Sequence, residues 1–165
     1  MFNTIDPAEM QAMLTEKFGH DIITIEKHYD VTVTTVKLEK LKEVITHLKD
    51  SGFTFLTSAC GIHFPDAEEP FGMIYHLHHM PRNLRIRIKA FTKHDPPHFP
   101  TMTDIFPSAN WMEREAYDFY GFRFDGHPHL RRILNVDDME GFPLRKEFPL
   151  EDQNRYDKDD KMFGR

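Results

Sequence analysis

Apolar side chains recur with helical spacing in three stretches of the chain, and these stretches predict three amphipathic helices. The first is predicted between a capping Asp6 and Gly19, and the second between Leu38 and Gly52. The third is short and ends at Gly121. Its apolar face consists of Ala109, Met112, Ala116, Phe119 and Tyr120.

Alternating apolar and polar residues predict a pair of strands within 21–36 and further strands at 73–80 and 84–92. The stretch 53–58 is apolar on both faces and is therefore predicted to be a central strand. Together the elements predict an α+β fold in two layers, with a mixed or antiparallel sheet of about five strands and helices on one face.

The second half of the chain has a different character, because seven of its eleven prolines lie between Pro96 and Pro149. The segment 151–165 is mostly charged and cannot bury enough apolar surface to order alone. We therefore predict a globular domain over 1–134 and a proline-rich, extended C-terminal arm over 135–165 that docks on other proteins.

Composition and charge exclude several classes of function. The 21 basic and 27 acidic residues give a net charge of −6, which argues against a general nucleic-acid binder. The single cysteine, Cys60, excludes an intrachain disulfide and a four-cysteine iron–sulfur cluster, and it is predicted to be a small core residue. Since no long uncharged stretch exists and Asp6 and Glu9 stand near the start, neither a membrane span nor a signal peptide is expected.

Two pairs of closely spaced histidines suggest one alternative function, a freestanding metalloenzyme. Together with a carboxylate they could hold zinc or non-haem iron. The competing interpretation is that the histidines face water or stack on the neighbouring Tyr75. The candidate ligands are His76, His78, His127 and His129, with Glu68 or Glu69.

The third predicted helix carries several charges. Glu113 and Glu115 are two residues apart and diverge by about 200° on a helix, so they do not form a general acid–base pair. Arg114 and Asp118 are four residues apart, and we expect them to pair with each other.

A basic strand is the third candidate feature. The alternation in 84–92 turns its basic side chains outward, where they could grip a phosphate backbone. A solvated face or an interface with an acidic partner explains the same pattern. The residues are Arg82, Arg85, Arg87 and Lys89.

Three segments, 110–121, 124–134 and 141–150, carry motifs that together resemble the 30 kDa (C-type) subunit family of respiratory NADH–quinone oxidoreductase, complex I. A Trp-x-Glu-Arg-Glu helix is followed by a Gly-His-Pro-x-Leu-Arg-Arg-Ile-Leu turn and by a Gly-x-Pro-Leu-Arg-Lys-Glu tail. The signature residues are Trp111, Glu113, Arg114, Glu115, Asp118, Gly126, His127, Pro128, Arg131, Arg132, Pro143, Arg145 and Lys146.

The resemblance implies a non-redox scaffold subunit in the peripheral arm of a proton-translocating enzyme. Electrons would pass from NADH through FMN and iron–sulfur clusters to quinone, all bound by partner subunits, while this chain carries no catalytic, cofactor-binding or metal-binding residues. The implied partners are other peripheral-arm subunits, especially the quinone-site (D-type) and the cluster-bearing (B-type) subunits, and no nucleic acid. The implied location is the cytoplasmic face of the bacterial inner membrane, reached only through the complex.

Two further expectations concern the signature. We expect Glu113 to pair with an arginine of the turn, such as Arg131, while Glu115 faces outward, so that the helix and the turn jointly present an interface. The sequence departs from the family's usual residues at His63 and Phe142, and neither departure touches a signature residue.

Overall fold

The computed structural model of the protein describes residues 7–29 and 31–149. Its elements, in chain order, are α1 (Pro7–Phe18), β1 (Ile22–His28), β2 (Val31–Val36), α2 (Leu41–Asp50), β3 (Phe55–His63), β4 (Phe71–His79), β5 (Leu84–Thr92), β6 (His98–Pro100), α3 (Ala109–Tyr120) and β7 (Arg123–Asp125). The three predicted helices are confirmed, and a short 3-10 turn at Leu38–Lys40 begins the second of them. The predicted cap at Asp6 lies outside the described residues.

Five strands form one mixed sheet in the order β1-β2-β5-β4-β3, which confirms the predicted α+β class. Only β2 and β5 run parallel; the other neighbours are antiparallel. The prediction of a central strand at 53–58 is wrong, because β3 lies at the edge of the sheet and extends to His63. The stretch 53–58 is apolar because Phe53, which precedes β3, and Leu56 enter the core, whereas Phe55 is exposed.

The core lies on one face of this sheet. In β5 the apolar residues that alternate with the outward basic ones, Leu84, Ile86, Ile88 and Ala90, are all buried, which confirms the alternation. The buried face of α2 completes the layer with Leu41, Val44, Ile45 and Leu48. Cys60 is exposed rather than buried, because its neighbours Ala59 and Gly61 take the inward positions of β3.

A second, two-stranded sheet was not predicted. The strands β6 and β7 are parallel and have only three residues each, too few to show a period in the sequence. Phe124 lies in β7 and packs near Phe99, which stacks on Phe122 at 5.3 Å between ring centroids. This small sheet positions the loop 101–106 beside α3.

Residues 135–149 contain no helix or strand and lie along the surface near α3. The amide of Leu144 donates to the carbonyl of Phe119 at 3.1 Å, which fixes the segment at the end of the helix. The rest of the predicted arm, 150–165, lies outside the described residues. None of the helices that the structure describes has the length and the apolar content needed to cross a bilayer.

Candidate functional site

Asp118, near the end of α3, is the centre of the site formed by the signature residues. Its side chain is fully buried, and Oδ2 accepts the backbone N–H groups of Ile133, Leu134 and Asn135 at 2.8 to 3.0 Å. Oδ1 accepts from Arg132 at 2.9 Å and from the side-chain amide of Asn135 at 3.1 Å. Burial by itself raises the pKa of the Asp118 carboxyl, but these donors outweigh burial and hold the pKa well below its usual range.

Arg132 connects α3 with the segment that follows it. Besides the Asp118 carboxylate, its Nη1 donates to the backbone carbonyl of Asp118, and its Nη2 donates to the carbonyl of Met139 at 2.8 Å. The guanidinium also lies over the ring of Phe142, 5.7 Å from the ring centroid. One side chain therefore holds separate pieces of backbone together, using the planar donor set that distinguishes arginine from lysine.

The predicted pair between Arg114 and Asp118 is wrong. The side chain of Arg114 is buried and donates to the carbonyls of Arg131 and Arg132 at 3.2 and 3.0 Å, while its guanidinium lies over the ring of Trp111. Three backbone amides and Arg132 already occupy the carboxylate of Asp118, so no acceptor remains there for Arg114. Both side chains instead hold the backbone of 131–135 against the helix.

Glu113 is also fully buried, but its partners lie in the loop at Thr101 and Met102 and not in the turn. Its Oε2 accepts from the hydroxyl of Thr101 at 2.6 Å, and its Oε1 accepts from the amide of Met102 at 2.7 Å. The predicted pair with Arg131 is therefore wrong, and the exposed Arg131 contributes its carbonyl instead of its side chain. Burial raises the pKa of the Glu113 carboxyl to about 7, although its two hydrogen bonds act in the opposite direction.

His127 is held by backbone groups on both ring nitrogens. Nδ1 accepts the amide of His129 at 3.0 Å, so Nε2 carries the proton that is directed at the carbonyl of Asn110 at 3.3 Å. Gly126 before it has φ of +86°, a conformation that favours glycine. The histidine of the turn therefore fixes the turn to the start of α3.

Arg145 attaches the tail motif to the domain. Its Nε donates to the carbonyl of Tyr120 at 2.7 Å, and its two terminal nitrogens donate to Asp95 at 3.0 and 2.9 Å. The guanidinium lies between the rings of Phe71 and Phe142, at 4.9 and 5.1 Å from their centroids. Asp95 lies fifty residues earlier in the chain, and no local sequence pattern indicates this contact.

Both departures from the family pattern lie in the site, although neither replaces a signature residue. His63 stacks on Phe71, and its Nδ1 accepts the amide of Lys146 at 3.1 Å. Phe142 packs so closely on Gly121 that a Cβ added there would lie 2.5 Å from its ring. Sequence reasoning had no means to find these contacts because the partners are far apart in the chain.

The helix, the turn and the tail of the signature thus form one packed unit. Its outer surface includes the apolar side chains of Leu134, Val136 and Leu144. Glu115 faces outward, as predicted from helical geometry. The exposed members of the signature are Trp111, Glu115, Gly126, Pro128, Arg131 and Lys146, and the partly buried ones are His127, Arg132, Pro143 and Arg145.

The histidine pairs do not form the alternative metal site. His76 bonds Ser58 and Arg87 in the main sheet, and His78 bonds Asn83, whereas the other pair lies in the turn after β7. In residues 7–29 and 31–149 there is no group of three or more potential metal ligands of the His, Cys, Asp or Glu type.

We expect Arg145→Lys to loosen the tail motif. Lysine cannot reach the carbonyl of Tyr120 and both oxygens of Asp95 at the same time. The backbone amides of Leu144 and Lys146 should therefore exchange with solvent faster, by about tenfold for each 1.4 kcal/mol by which the free energy of local opening falls. Hydrogen exchange read by mass spectrometry measures this, with Arg85→Lys on the main sheet as the control. Unchanged exchange over 142–148 would contradict the assigned role of Arg145.

Comparison with known proteins gives a consistent assignment. Residues 34–154 match the family described as "Respiratory-chain NADH dehydrogenase, 30 Kd subunit". The first C-type subunit (C 1) of NADH-quinone oxidoreductase from Rhizobium meliloti (strain 1021) is 42% identical over 145 residues, which are 86% of this chain and 72% of that protein. The second C-type subunit (C 2) from Rhizobium etli (strain CIAT 652) is 40% identical over 151 residues, 89% of this chain and 80% of that protein.

Solved structures share the fold. The chain described as "Nqo5 of the trypsin-resistant fragment (1-134)" superposes with a TM-score of 0.66 at 31% identity, over 73% of this chain and 98% of that one. A chain from the membrane-bound sulfane sulfur reductase, an archaeal respiratory membrane complex, superposes with a TM-score of 0.75 over 90% of this chain and 98% of that one. At 22% identity, the second likeness concerns the fold alone.

Proposed function

The chain belongs to the family of the 30 kDa subunit of the respiratory-chain NADH dehydrogenase, and from this membership we propose how it works. It is a scaffold subunit in the peripheral arm of a proton-translocating NADH–quinone oxidoreductase. It takes no part in bond-making or electron transfer, and FMN, the iron–sulfur clusters and quinone are bound by other subunits.

One observation carries the scaffold role: the buried charges of the signature are used to hold backbone. Asp118 accepts hydrogen bonds from three backbone amides of the turn. Arg114 donates to two backbone carbonyls of the turn, and Arg132 donates to the carbonyl of Met139 after it. Groups engaged in this way stabilise a surface shape, and the exposed side chains, including Trp111 and Leu134, are left to contact another protein.

The proposed partners are other peripheral-arm subunits, foremost the quinone-site (D-type) and the cluster-bearing (B-type) subunits. The packed signature unit would form one contact, and the arm 135–165 would extend it along the neighbouring subunit. The complex would hold the chain at the cytoplasmic face of the bacterial inner membrane, and this chain would reach the membrane only through its partners.

Affinity purification from native membranes tests this proposal. A tagged copy of the chain, solubilised in mild detergent, should bring down the NADH–quinone oxidoreductase subunits in equal proportion, with NADH-dependent quinone reduction in the same fraction. Recovery of the chain alone would contradict the proposal.

A substitution in the signature tests the absence of a catalytic role. Arg132→Ala should reduce the amount of assembled complex, because it removes the donor that joins Asp118 and Met139. Activity per assembled complex should stay near the wild-type value. A variant complex that assembles fully but no longer reduces quinone would show that the signature acts in the reaction.

A further inference from the structure

The face of the main sheet that points away from the core has a chemistry of its own. Its apolar residues Ile62, Ile74 and Phe91 are only partly buried, and none belongs to the core cluster or packs against it. The strand register places them in line with the outward residues of β5. Ile74 of β4 pairs with Lys89 of β5, and Ile62 of β3 pairs with Gly72 of β4, which in turn pairs with Phe91 of β5.

This face is cationic although the chain as a whole is acidic. Arg85, Arg87 and Lys89 point outward from β5, at intervals of about 7 Å along the strand. Their cross-strand neighbours on β4 and β2 carry no carboxylate. Among the described residues, none of the three forms a salt bridge.

The carboxylate on this face of the outermost strand belongs to a different pair. Glu26, on the outermost strand β1, lies opposite Val33 of β2 and bonds His28 at 3.0 Å. In a protein with net charge −6, three adjacent cations without a local partner among the described residues form a concentrated positive patch.

The middle cation of this patch is held in place by its neighbours. The Nε of Arg87 donates to Nε2 of His76 at 2.7 Å, which leaves the ring proton on Nδ1, directed at the hydroxyl of Ser58 at 2.8 Å. Because the histidine donates to this hydroxyl, it cannot act as its general base, and the three residues are no nucleophilic triad.

The same contacts leave the outer part of Arg87 available. Within the described chain, no residue bonds its two terminal nitrogens, and these are the atoms that pair with the two oxygens of a carboxylate. Burial and the nearby Arg87 lower the pKa of His76, so covering this face would bury the three cations without adding a fourth charge.

We propose that this basic sheet face, formed by Arg85, Arg87 and Lys89 with Ile62 and Ile74, is a docking surface for a carboxylate-bearing, partly apolar surface of another subunit. The proposal rests on the proposed function, since the occupant is a protein of the same complex. It is a second contact, separate from the signature unit around α3.

The side chains between the cations favour a protein over the other polyanions. Ile62 and Ile74 form an apolar strip beside Lys89, which matches a partner that presents apolar and acidic side chains together. A lipid headgroup layer or a nucleic-acid backbone presents negative charge without apolar groups directly beside it.

Chemical labelling of Lys89 tests the proposal on the purified complex. We expect acetylation of Lys89 to be at least about tenfold slower in the complex than in the full-length isolated chain, as for an amine that is covered by a partner. A water-soluble carbodiimide, which joins amines to carboxylates in contact, should link Lys89 to an Asp or Glu of another subunit. Equal acetylation in the two states would overturn the proposal.

Anionic vesicles of phosphatidylcholine and phosphatidylglycerol separate the lipid source from the protein source. If they protect Lys89 in the isolated chain and no carbodiimide link forms in the complex, the surface binds lipid and the proposal is wrong. The experiment on the complex also distinguishes the docking surface from the proposed function. If the chain co-purifies with the oxidoreductase while Lys89 stays fully reactive, the proposed function holds and only the docking surface is wrong.

Charge reversal gives an independent readout in cells. Lys89→Glu should lower the yield of assembled complex about tenfold or more, because like charges then face each other across the contact. Lys27→Glu is the matched control: it changes the charge equally, but on the outermost strand β1, where Lys27 points to the other side of the sheet. Equal losses for both variants would mean that net charge alone is responsible, and the proposal would be wrong.

Discussion

Replacing Asp118 with alanine is expected to lower the free energy of unfolding of the isolated chain by about 3–5 kcal/mol, the range for breaking a buried charge pair. The variant leaves Arg132 without its carboxylate and leaves the amides of Ile133, Leu134 and Asn135 without an acceptor. Each buried donor without a partner adds to the cost. Since a domain has about 5–15 kcal/mol in total, this substitution should remove a large part of the stability of the chain.

Urea unfolding followed by circular dichroism measures this loss, and Glu115→Ala is the matched control. Glu115 lies on the same helix and is exposed, so its replacement should change the free energy of unfolding by no more than about 0.5 kcal/mol. Equal midpoints for the two variants would contradict the central position of Asp118.

The pH dependence of Asp118 has a definite sign. Because the folded state holds its pKa below the ordinary value, the carboxylate stabilises the fold at pH values above that ordinary value. The contribution is lost as the pH falls toward the folded-state pKa. Wild-type protein should therefore lose stability on acidification below about pH 4, and Asp118→Ala should lack this part of the loss.

Much of the fold could be predicted because its signals are local. The outward cations of β5 and its inward Ile86 and Ile88 follow a period of two, and the apolar stripe of α2 follows the helical period. These periods report which face of an element is buried. They do not report which elements are neighbours, and for this reason the edge position of β3 could not be found.

The site was predicted as a set of residues and not as a set of contacts. The spacing of Arg114 and Asp118 is correct for a helical pair, but that rule assumes a solvated helix surface. Here the turn covers this surface and offers three amides to one carboxylate, an arrangement that no spacing rule contains. Glu113 likewise finds its partners in the loop at Thr101, which the small second sheet holds in place.

Glu113 gives the second large effect, and its sign is opposite to that of Asp118. Burial raises its pKa from 4.5 to about 7 in the folded protein, so the folded state binds the proton more tightly than the unfolded state does. The stabilisation is then complete below pH 4.5 and is lost as the pH rises toward 7. At about 1.4 kcal/mol for each unit of pKa, the total loss is about 3 kcal/mol.

Glu113→Gln should remove this dependence while keeping the contacts. A glutamine can still accept the amide of Met102 through its carbonyl oxygen, and its amide can donate to the hydroxyl of Thr101. The variant should match wild-type stability near pH 4.5 and exceed it by about 3 kcal/mol at about pH 8, because glutamine does not ionise. Denaturant unfolding at a series of pH values across this range gives both curves, with the exposed Glu115→Gln as the control. Parallel curves for the wild type and Glu113→Gln would show that the buried carboxyl ionises without cost and that the surrounding packing, including Thr101, already stabilises its charge.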